Sequence, residues 1–237
     1  MKATVLVPAA GMGRRMGTSI NKQYLDLVGK PILAHTLALF DAHPQIEYIY
    51  PILPADEISY CQQAIIAPYG FNKVRRIVAG GAERQDSVRN GLLALSEDDL
   101  DQPERIVLIH DGVRPLFNPQ LLAELITIIV EQGACVVGVP VKDTIKEVDN
   151  GQISGTPDRK RLWQAQTPQG FSYQLIAEAF RSADEAGFLG TDDASLLERL
   201  GVPVQMLKGD YRNIKVTTPE DLVMASALFD RQGEGSA

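Results

Sequence analysis

Thr4-Val5-Leu6-Val7-Pro8-Ala9-Ala10-Gly11-Met12-Gly13-Arg14-Arg15-Met16-Gly17 is a short apolar run that passes directly into a glycine loop. Its beginning has the charged start and apolar middle of a secretory leader. Pro8, Gly11 and Gly13 interrupt it before Arg14 and Arg15, so it reads as a first buried strand. Working outward, Tyr48 to Leu53, Val74 to Val78, Ile106 to Ile109 and Val136 to Val139 are further runs of strand composition. Between them, Ile32 to Phe40, Glu57 to Ala67, Arg84 to Leu95 and Leu121 to Glu131 space their apolar residues by three and four, the period of an amphipathic helix. Buried continuous strands alternating with helices predict a Rossmann-like α/β fold, a mostly parallel sheet with helices on both faces. Ligands of such sheets bind beyond the carboxyl ends of the strands, which is where the glycine loop falls.

The alternation breaks between Val141 and Arg159. Asp149-Asn150-Gly151-Gln152 separates two segments of alternating polar and apolar residues, and Asn-Gly there is a hairpin signal. Neither flank is apolar enough for the central sheet. The segment is expected to form a projecting β-arm, about 141–160, on a single domain spanning 1–237. An arm of this kind calls for a second surface to cover it, with a second subunit the candidate, or else stays a solvated hairpin. Helices follow at Tyr173 to Ala186 and Asp193 to Leu200, then a strand at Val204 to Leu207 and a last helix from Pro219 to Phe229. Thr218-Pro219-Glu220-Asp221 has the capping hydroxyl, early proline and acidic first turn of a helix start. The tail from Gln232 to Ala237 is small and polar and is expected to fray.

Composition narrows the class. With 23 Lys+Arg against 30 Asp+Glu the formal net charge is −7, which argues against a general nucleic-acid binder. Apolar residues make up 45% of the 237, enough for a full core. No uninterrupted apolar stretch approaches ~18 residues, so no membrane helix is expected. The two cysteines, Cys61 and Cys135, do not suggest a disulfide framework, and a reducing cytoplasm is the expected location.

The glycine loop lets backbone N–H groups approach an anion closely. Met16 stands where a dinucleotide fingerprint needs its third glycine, and no Gly-Lys-Ser/Thr ends the loop as in a Walker motif. What remains is Gly11 and Gly13 with Arg14, Arg15 and, further on, Lys22, a set suited to the spread charge of a triphosphate. Ala9-Ala10-Gly11-x-Gly13-x-Arg15-Met16 resembles the signature of nucleotidyltransferases that join an NTP to a phosphorylated sugar or polyol. Gly80-Gly81-x-Glu83-Arg84-Gln85-Asp86-Ser87-Val88, His110-Asp111-x-x-Arg114-Pro115, Asp143-Thr144, Thr167-Pro168-Gln169, Thr191-Asp192-Asp193 and Asn213-Ile214-Lys215-Val216-Thr217 follow it. The seven blocks cover nearly the whole chain and resemble, in order, the 2-C-methyl-D-erythritol 4-phosphate cytidylyltransferase family.

The resemblance implies that CTP and methylerythritol phosphate give 4-diphosphocytidyl-2-C-methylerythritol and pyrophosphate, in a Mg²⁺-dependent, cytoplasmic homodimer of the non-mevalonate isoprenoid pathway. It also implies roles. Arg15 and Lys22 would stabilise the transition state, and Arg159 and Lys215 would position the acceptor phosphate. Ala9, Ala10, Gly11, Gly13, Gly80, Gly81 and Ser87 would hold the nucleotide, small residues allowing backbone to reach a cytosine edge. Asp111, Thr144 and Thr167 would contact substrate, and Asp111 is a candidate Mg²⁺ contact, direct or through water. Arg114 would either bind phosphate or shape its loop. Arg159 and Thr144 would reach the partner subunit's site through the arm. His110 reads as structural. The scattered histidines and the lack of an activated nucleophile accord with an acceptor phosphate whose second pKa is about 6, which needs no base at neutral pH.

Two positions depart from the family pattern. Ala82 stands where Asp is common, and Gly112-Val113 replaces Ala-Ala. Ribitol 5-phosphate cytidylyltransferase, with related motifs and a different acceptor, is the nearest alternative. A non-catalytic nucleotide-binding protein would be expected to have lost its charged positions, whereas Arg15, Lys22, Arg159 and Lys215 are all present.

Overall fold

The computed structural model describes residues 1–11 and 21–234. Arg15 and Gly13 therefore lie outside the described residues. In chain order the elements are β1 (Ala3–Pro8), β2 (Asp26–Leu27), β3 (Lys30–Pro31), α1 (Ile32–Asp41), β4 (Ile46–Leu53), α2 (Ile58–Cys61), α3 (Ala67–Tyr69), β5 (Val78–Ala79) and α4 (Arg84–Glu97). They continue with β6 (Ile106–Ile109), α5 (Leu122–Gln132), β7 (Ala134–Pro140), β8 (Glu147–Asp149), β9 (Gln152–Gly155), β10 (Trp163–Ser172), α6 (Tyr173–Glu185), α7 (Asp193–Arg199), β11 (Gln205–Lys208) and α8 (Pro219–Glu234).

Seven strands form one sheet in the order β11-β7-β10-β6-β1-β4-β5. Six run parallel, and β10 alone is antiparallel to its neighbours β6 and β7. Side chains alternate across the sheet as the pleat requires. Val5, Val7 and Leu108 face the core under α1 and α5, whereas Leu6, Val107 and Ile109 face the core under α4, α6 and α7. A third, smaller core gathers Leu27, Ile32, Val113, Val216 and Ala225 beneath α8. It joins the hairpin β2–β3 to the segment carrying Lys215.

Three elements differ from the sequence reading in detail. Val74 makes only an isolated bridge to Ile49, and the edge strand itself is Val78–Ala79. The expected helix from Glu57 runs without a break from Ile58 to Tyr69, but its middle, Gln62–Ile66, is π-helical between α2 and α3, and it ends at Gly70 in the left-handed region (φ 65°). The larger difference is β10. Trp163–Ser172 carries Gln164, Gln166, Gln169 and Pro168, a polar pattern with a proline that argues against a central strand. Pro168 is accommodated because the pairing with β7 shifts register between Ala165 and Gln169, so its missing N–H is not called on. The Thr167–Pro168 peptide is cis.

The arm forms as expected. Val148 pairs with Ile153 and Asp149 with Gln152, around Asn150 (φ 49°) and Gly151 (φ 81°), the conformation an Asn-Gly hairpin turn needs. Its apolar side chains Val148 and Ile153 are exposed. The expected start of α8 is present, with Asp221 Oδ2 accepting from Thr217 N and Thr218 N, each at 2.9 Å.

Candidate active site

A cleft opens at the carboxyl ends of β1, β5 and β6, lined by Ala9, Ala10, Gly11, Lys22, Gly81 and Ser87 among others. Its walls touch closely enough to explain their small residues. A Cβ on Gly80 would stand 2.5 Å from Ala10 Cβ and 3.0 Å from Ser87 Oγ, and one on Gly112 would stand 2.8 Å from Ala9 Cβ. The second departure from the family pattern thus sits where this packing leaves no room for a side chain. Backbone bonds lock the walls together: Ala9 N donates to Ile52 O at 2.8 Å, Gly80 N to Leu53 O at 2.7 Å and Gly112 N to Pro8 O at 3.0 Å. Ser87 Oγ accepts from Gly81 N and donates to Glu83 O, each at 3.1 Å, so it fixes the turn that starts α4.

A second cleft lies beside the first and is lined by Arg114, Gln166, Thr167, Gln169, Thr191 and Asp192. Arg84, Asp111 and Lys215 line both clefts and form the partition between them. Asp111 is buried at the end of β6. Its Oδ1 lies 3.2 Å from Arg84 Nε, and its Oδ2 lies 2.9 Å from Lys215 Nζ and 3.5 Å from Arg114 Nε. Burial alone would raise its carboxyl, but Arg84, Lys215 and Arg114 hold it well below the usual carboxylate range. Arg84 Nη2 also donates to the buried Asp193 at 2.7 Å. Despite its own desolvation, the Arg84 guanidinium is held above its ordinary value by these two carboxylates.

Lys215 is carried by a segment anchored on both sides. Asn213 Nδ2 donates to Thr167 O at 2.8 Å, and Val216 N donates to Val113 O at 2.9 Å. Arg114 Nη1 donates to Asn213 O at 2.8 Å, so it shapes this loop as well as lining the second cleft. His110 is fully buried, and burial pushes it down to about 4, which keeps it neutral near pH 7. Its Nε2 contacts Arg114 O at 3.0 Å, a carbonyl that can only accept, so Nε2 carries the proton. Nδ1 then accepts from Thr167 Oγ1 at 3.1 Å, and Thr167 Oγ1 accepts from Asp111 N at 3.1 Å. Both imidazole nitrogens are occupied, and His110 is a structural residue.

Thr144 and Arg159 are exposed on the arm and line neither cleft of their own chain. Arg159 Nη1 donates to Lys142 O at 2.6 Å. The motif readings assign no role to Arg84, Asp193 or Gln169, although all three organise the partition. Arg84 is the first residue of α4, where a cation opposes the helix dipole. That placement is the one local sign that it answers to a carboxylate elsewhere. Gln169 reaches α7 from the bulged strand, accepting from Ala194 N at 3.0 Å and donating to Asp192 Oδ2 at 2.7 Å.

No group of three His, Cys, Asp or Glu side chains disposed to hold a metal ion occurs among the described residues. Asp111 has both oxygens engaged by cations. Asp111 is the carboxylate that lines both clefts, where a Mg²⁺ resting on one or two carboxylates plus substrate phosphates would be held.

An open, mostly parallel sheet whose strand ends carry a glycine-walled cleft, with a cation-rich partition to a second polar cleft, fits a nucleotidyltransferase, an enzyme that brings two anionic ligands together. The 2-C-methyl-D-erythritol 4-phosphate cytidylyltransferase family model matches residues 3–231. A protein of that name from Syntrophotalea carbinolica is 56% identical over 237 residues, all of both chains, and one from Geotalea uraniireducens is 55% identical over 97% of each. The crystal structure of 4-diphosphocytidyl-2C-methyl-D-erythritol synthase from Anaerococcus prevotii superposes with a TM-score of 0.83 at 30% identity, covering 97% of this chain and 96% of that one. The chain belongs to the 2-C-methyl-D-erythritol 4-phosphate cytidylyltransferase family.

Proposed function

We propose that the chain transfers the cytidylyl group of CTP to 2-C-methyl-D-erythritol 4-phosphate. An acceptor phosphate oxygen bonds to the α-phosphorus, the bond from that phosphorus to the bridging oxygen breaks, and pyrophosphate leaves. The observation that carries this reading is the shared partition of Arg84, Asp111 and Lys215. Lys215 lines both clefts and is held by Asp111 at 2.9 Å, so two phosphates can approach each other beside one fixed cation. Such chemistry is positioning plus electrostatic stabilisation, consistent with the occupied nitrogens of His110.

In this reading the first cleft takes the nucleotide. Ala9, Ala10, Gly80 and Gly81 bring backbone to the cytosine edge, with Ser87 holding their turn. Lys22, with Arg15, meets the triphosphate, where a Mg²⁺ held by the nucleotide and Asp111 would supply further charge neutralisation. The second cleft takes the polyol phosphate, with Thr167 and Arg114 facing it. The exposed apolar arm supports a homodimer in which Thr144 and Arg159 complete the partner's second cleft. Two buried free thiols, Cys61 and Cys135, accord with a cytoplasmic location.

Purified protein given CTP, Mg²⁺ and methylerythritol phosphate is expected to release pyrophosphate. Absence of release, or preferential turnover of ribitol 5-phosphate in competition, would overturn the reading.

A further inference from the structure

Lys22 opens a three-residue 3₁₀ turn, Lys22–Tyr24. A single such turn has too few internal hydrogen bonds to hold its own orientation. Contacts from outside must therefore set where Lys22 points, and its two chain neighbours supply them. Asn21 Nδ2 donates to Glu57 Oε1, and Gln23 Nε2 donates to Glu57 Oε2 at 3.0 Å. One carboxylate thus grips the residue before the lysine and the residue after it. Asn21 caps the turn by position yet sends its side chain to Glu57 instead of to the turn's own N–H groups. Gln23 is fully buried, so water does not substitute freely for its bond to Glu57. Tyr24 packs edge-on against Tyr60, with ring centroids 4.9 Å apart, which ties the same two segments together a second time.

Glu57 closes the turn Ala55–Glu57 just beyond β4. The end of β4 also holds the nucleotide cleft, since Ile52 O and Leu53 O accept from Ala9 N and Gly80 N. The lysine turn and the cleft walls are therefore mounted on one base. Lys22 Nζ lies toward the glycine loop, 3.7 Å from where a Cβ on Gly11 would stand. Glu57 itself does not line the cleft.

We propose that Glu57 is a positioning residue for Lys22, its carboxylate clamping Asn21 and Gln23 so that the turn presents the lysine to the nucleotide phosphates. This rests on the reading of Lys22 as a transition-state stabiliser, and the test separates the two. Glu57→Ala, Glu57→Gln, Lys22→Ala and the Lys22→Ala/Glu57→Ala double variant are assayed in the full chain by pyrophosphate release at saturating CTP and methylerythritol phosphate. Circular dichroism monitors folding. Glu57→Ala is expected to lower kcat about tenfold, the equivalent of about 1.4 kcal/mol in the barrier, with both KM values changed by less than about twofold. Glu57→Gln, which keeps one acceptor oxygen, should fall between it and the parent.

The decisive measurement is the cycle. If Glu57 acts through Lys22, the double variant turns over no more slowly than Lys22→Ala alone. Multiplication of the two losses would mean an independent structural effect and would overturn the proposal. So would undiminished kcat in both Glu57 variants. Should Glu57→Ala fail to fold, the same cycle run with Glu57→Gln gives the answer. Normal turnover by Lys22→Ala would remove the reading of Lys22 and the proposal with it, whereas loss there without loss at Glu57 removes the proposal alone.

Discussion

Replacing Arg84 by alanine should show how the partition is held together. Arg84 is the bridge between Asp111 on β6 and Asp193 on α7, at 3.2 and 2.7 Å. Asp111 would keep Lys215 at 2.9 Å, but Asp193, fully buried at the start of α7, would lose its guanidinium partner. Removing one member of a buried ion pair typically costs about 3–5 kcal/mol. The Arg84 side chain retains 32% exposure, which argues for the lower end, about 3 kcal/mol, or roughly 6–12 °C in Tm for a chain of this size. The pH dependence is the sharper signature. Burial already pushes the Asp193 carboxyl up against the opposing pull of Arg84, and without Arg84 it rises further above its unfolded value of about 3.9. A group raised on folding contributes its stability below the unfolded pKa and loses it as pH rises through the folded one. The deficit of Arg84→Ala should therefore be small at pH 4.5 and large at pH 7.5, and Arg84→Ala/Asp193→Asn should recover much of it. Urea unfolding at the two pH values measures this. A deficit below about 1 kcal/mol, or one equal at both pH values, would refute the reasoning.

Four other outcomes are expected. Gly81→Ala would drive a Cβ into Asp86 Cβ and open the turn that Ser87 holds, so KM for CTP should rise about tenfold or more, read from initial rates. Lys215→Ala should raise KM for methylerythritol phosphate more than KM for CTP, since the remaining cations of the first cleft still face the nucleotide; equal effects would count against the assigned role. His110, pushed down by burial to about 4, takes up its proton in the unfolded chain first, so stability is full above about pH 6.5 and falls as pH drops through 4, by up to about 3 kcal/mol. The parent-minus-His110→Gln difference in urea midpoints should carry that slope. The proposed homodimer predicts that the protein elutes as a dimer in size-exclusion chromatography and that Ile153→Asp, at an exposed apolar position on the arm, elutes as a monomer with reduced turnover and a little-changed Tm of the core.

The elements of this fold differ in how plainly their sequence shows them. Strands β1 and β6 and helix α4 are legible because each obeys a local rule: an unbroken apolar run, or apolar residues at helical spacing. The Asn150-Gly151 turn is legible because few dipeptides accept positive φ twice in succession. Val28-Gly29, between β2 and β3, does the same work at φ 51° and 79°, but a β-branched residue at positive φ is uncommon and no local rule points to it. β10 is hidden for a related reason, its proline and glutamines being tolerated only because a register shift and the partners Asp192, Ala194 and Asp210 await them.

The motifs singled out Ala9, Ala10, Gly81, Ser87, Asp111 and Lys215, which the fold brings to one cleft, and the glycines and cations at their spacing suit an anionic ligand. Only the tertiary structure decided how those residues act on one another. Arg84 and Asp193 are separated by 109 positions, and nothing in either local sequence encodes a bond between them. Asp111 is one carboxylate in the chain and the hub of three cations in the fold. Propensity and periodicity are properties of neighbours along the chain, whereas the charge state of a buried group is set by neighbours in space. The partition between the two clefts belongs wholly to the second kind.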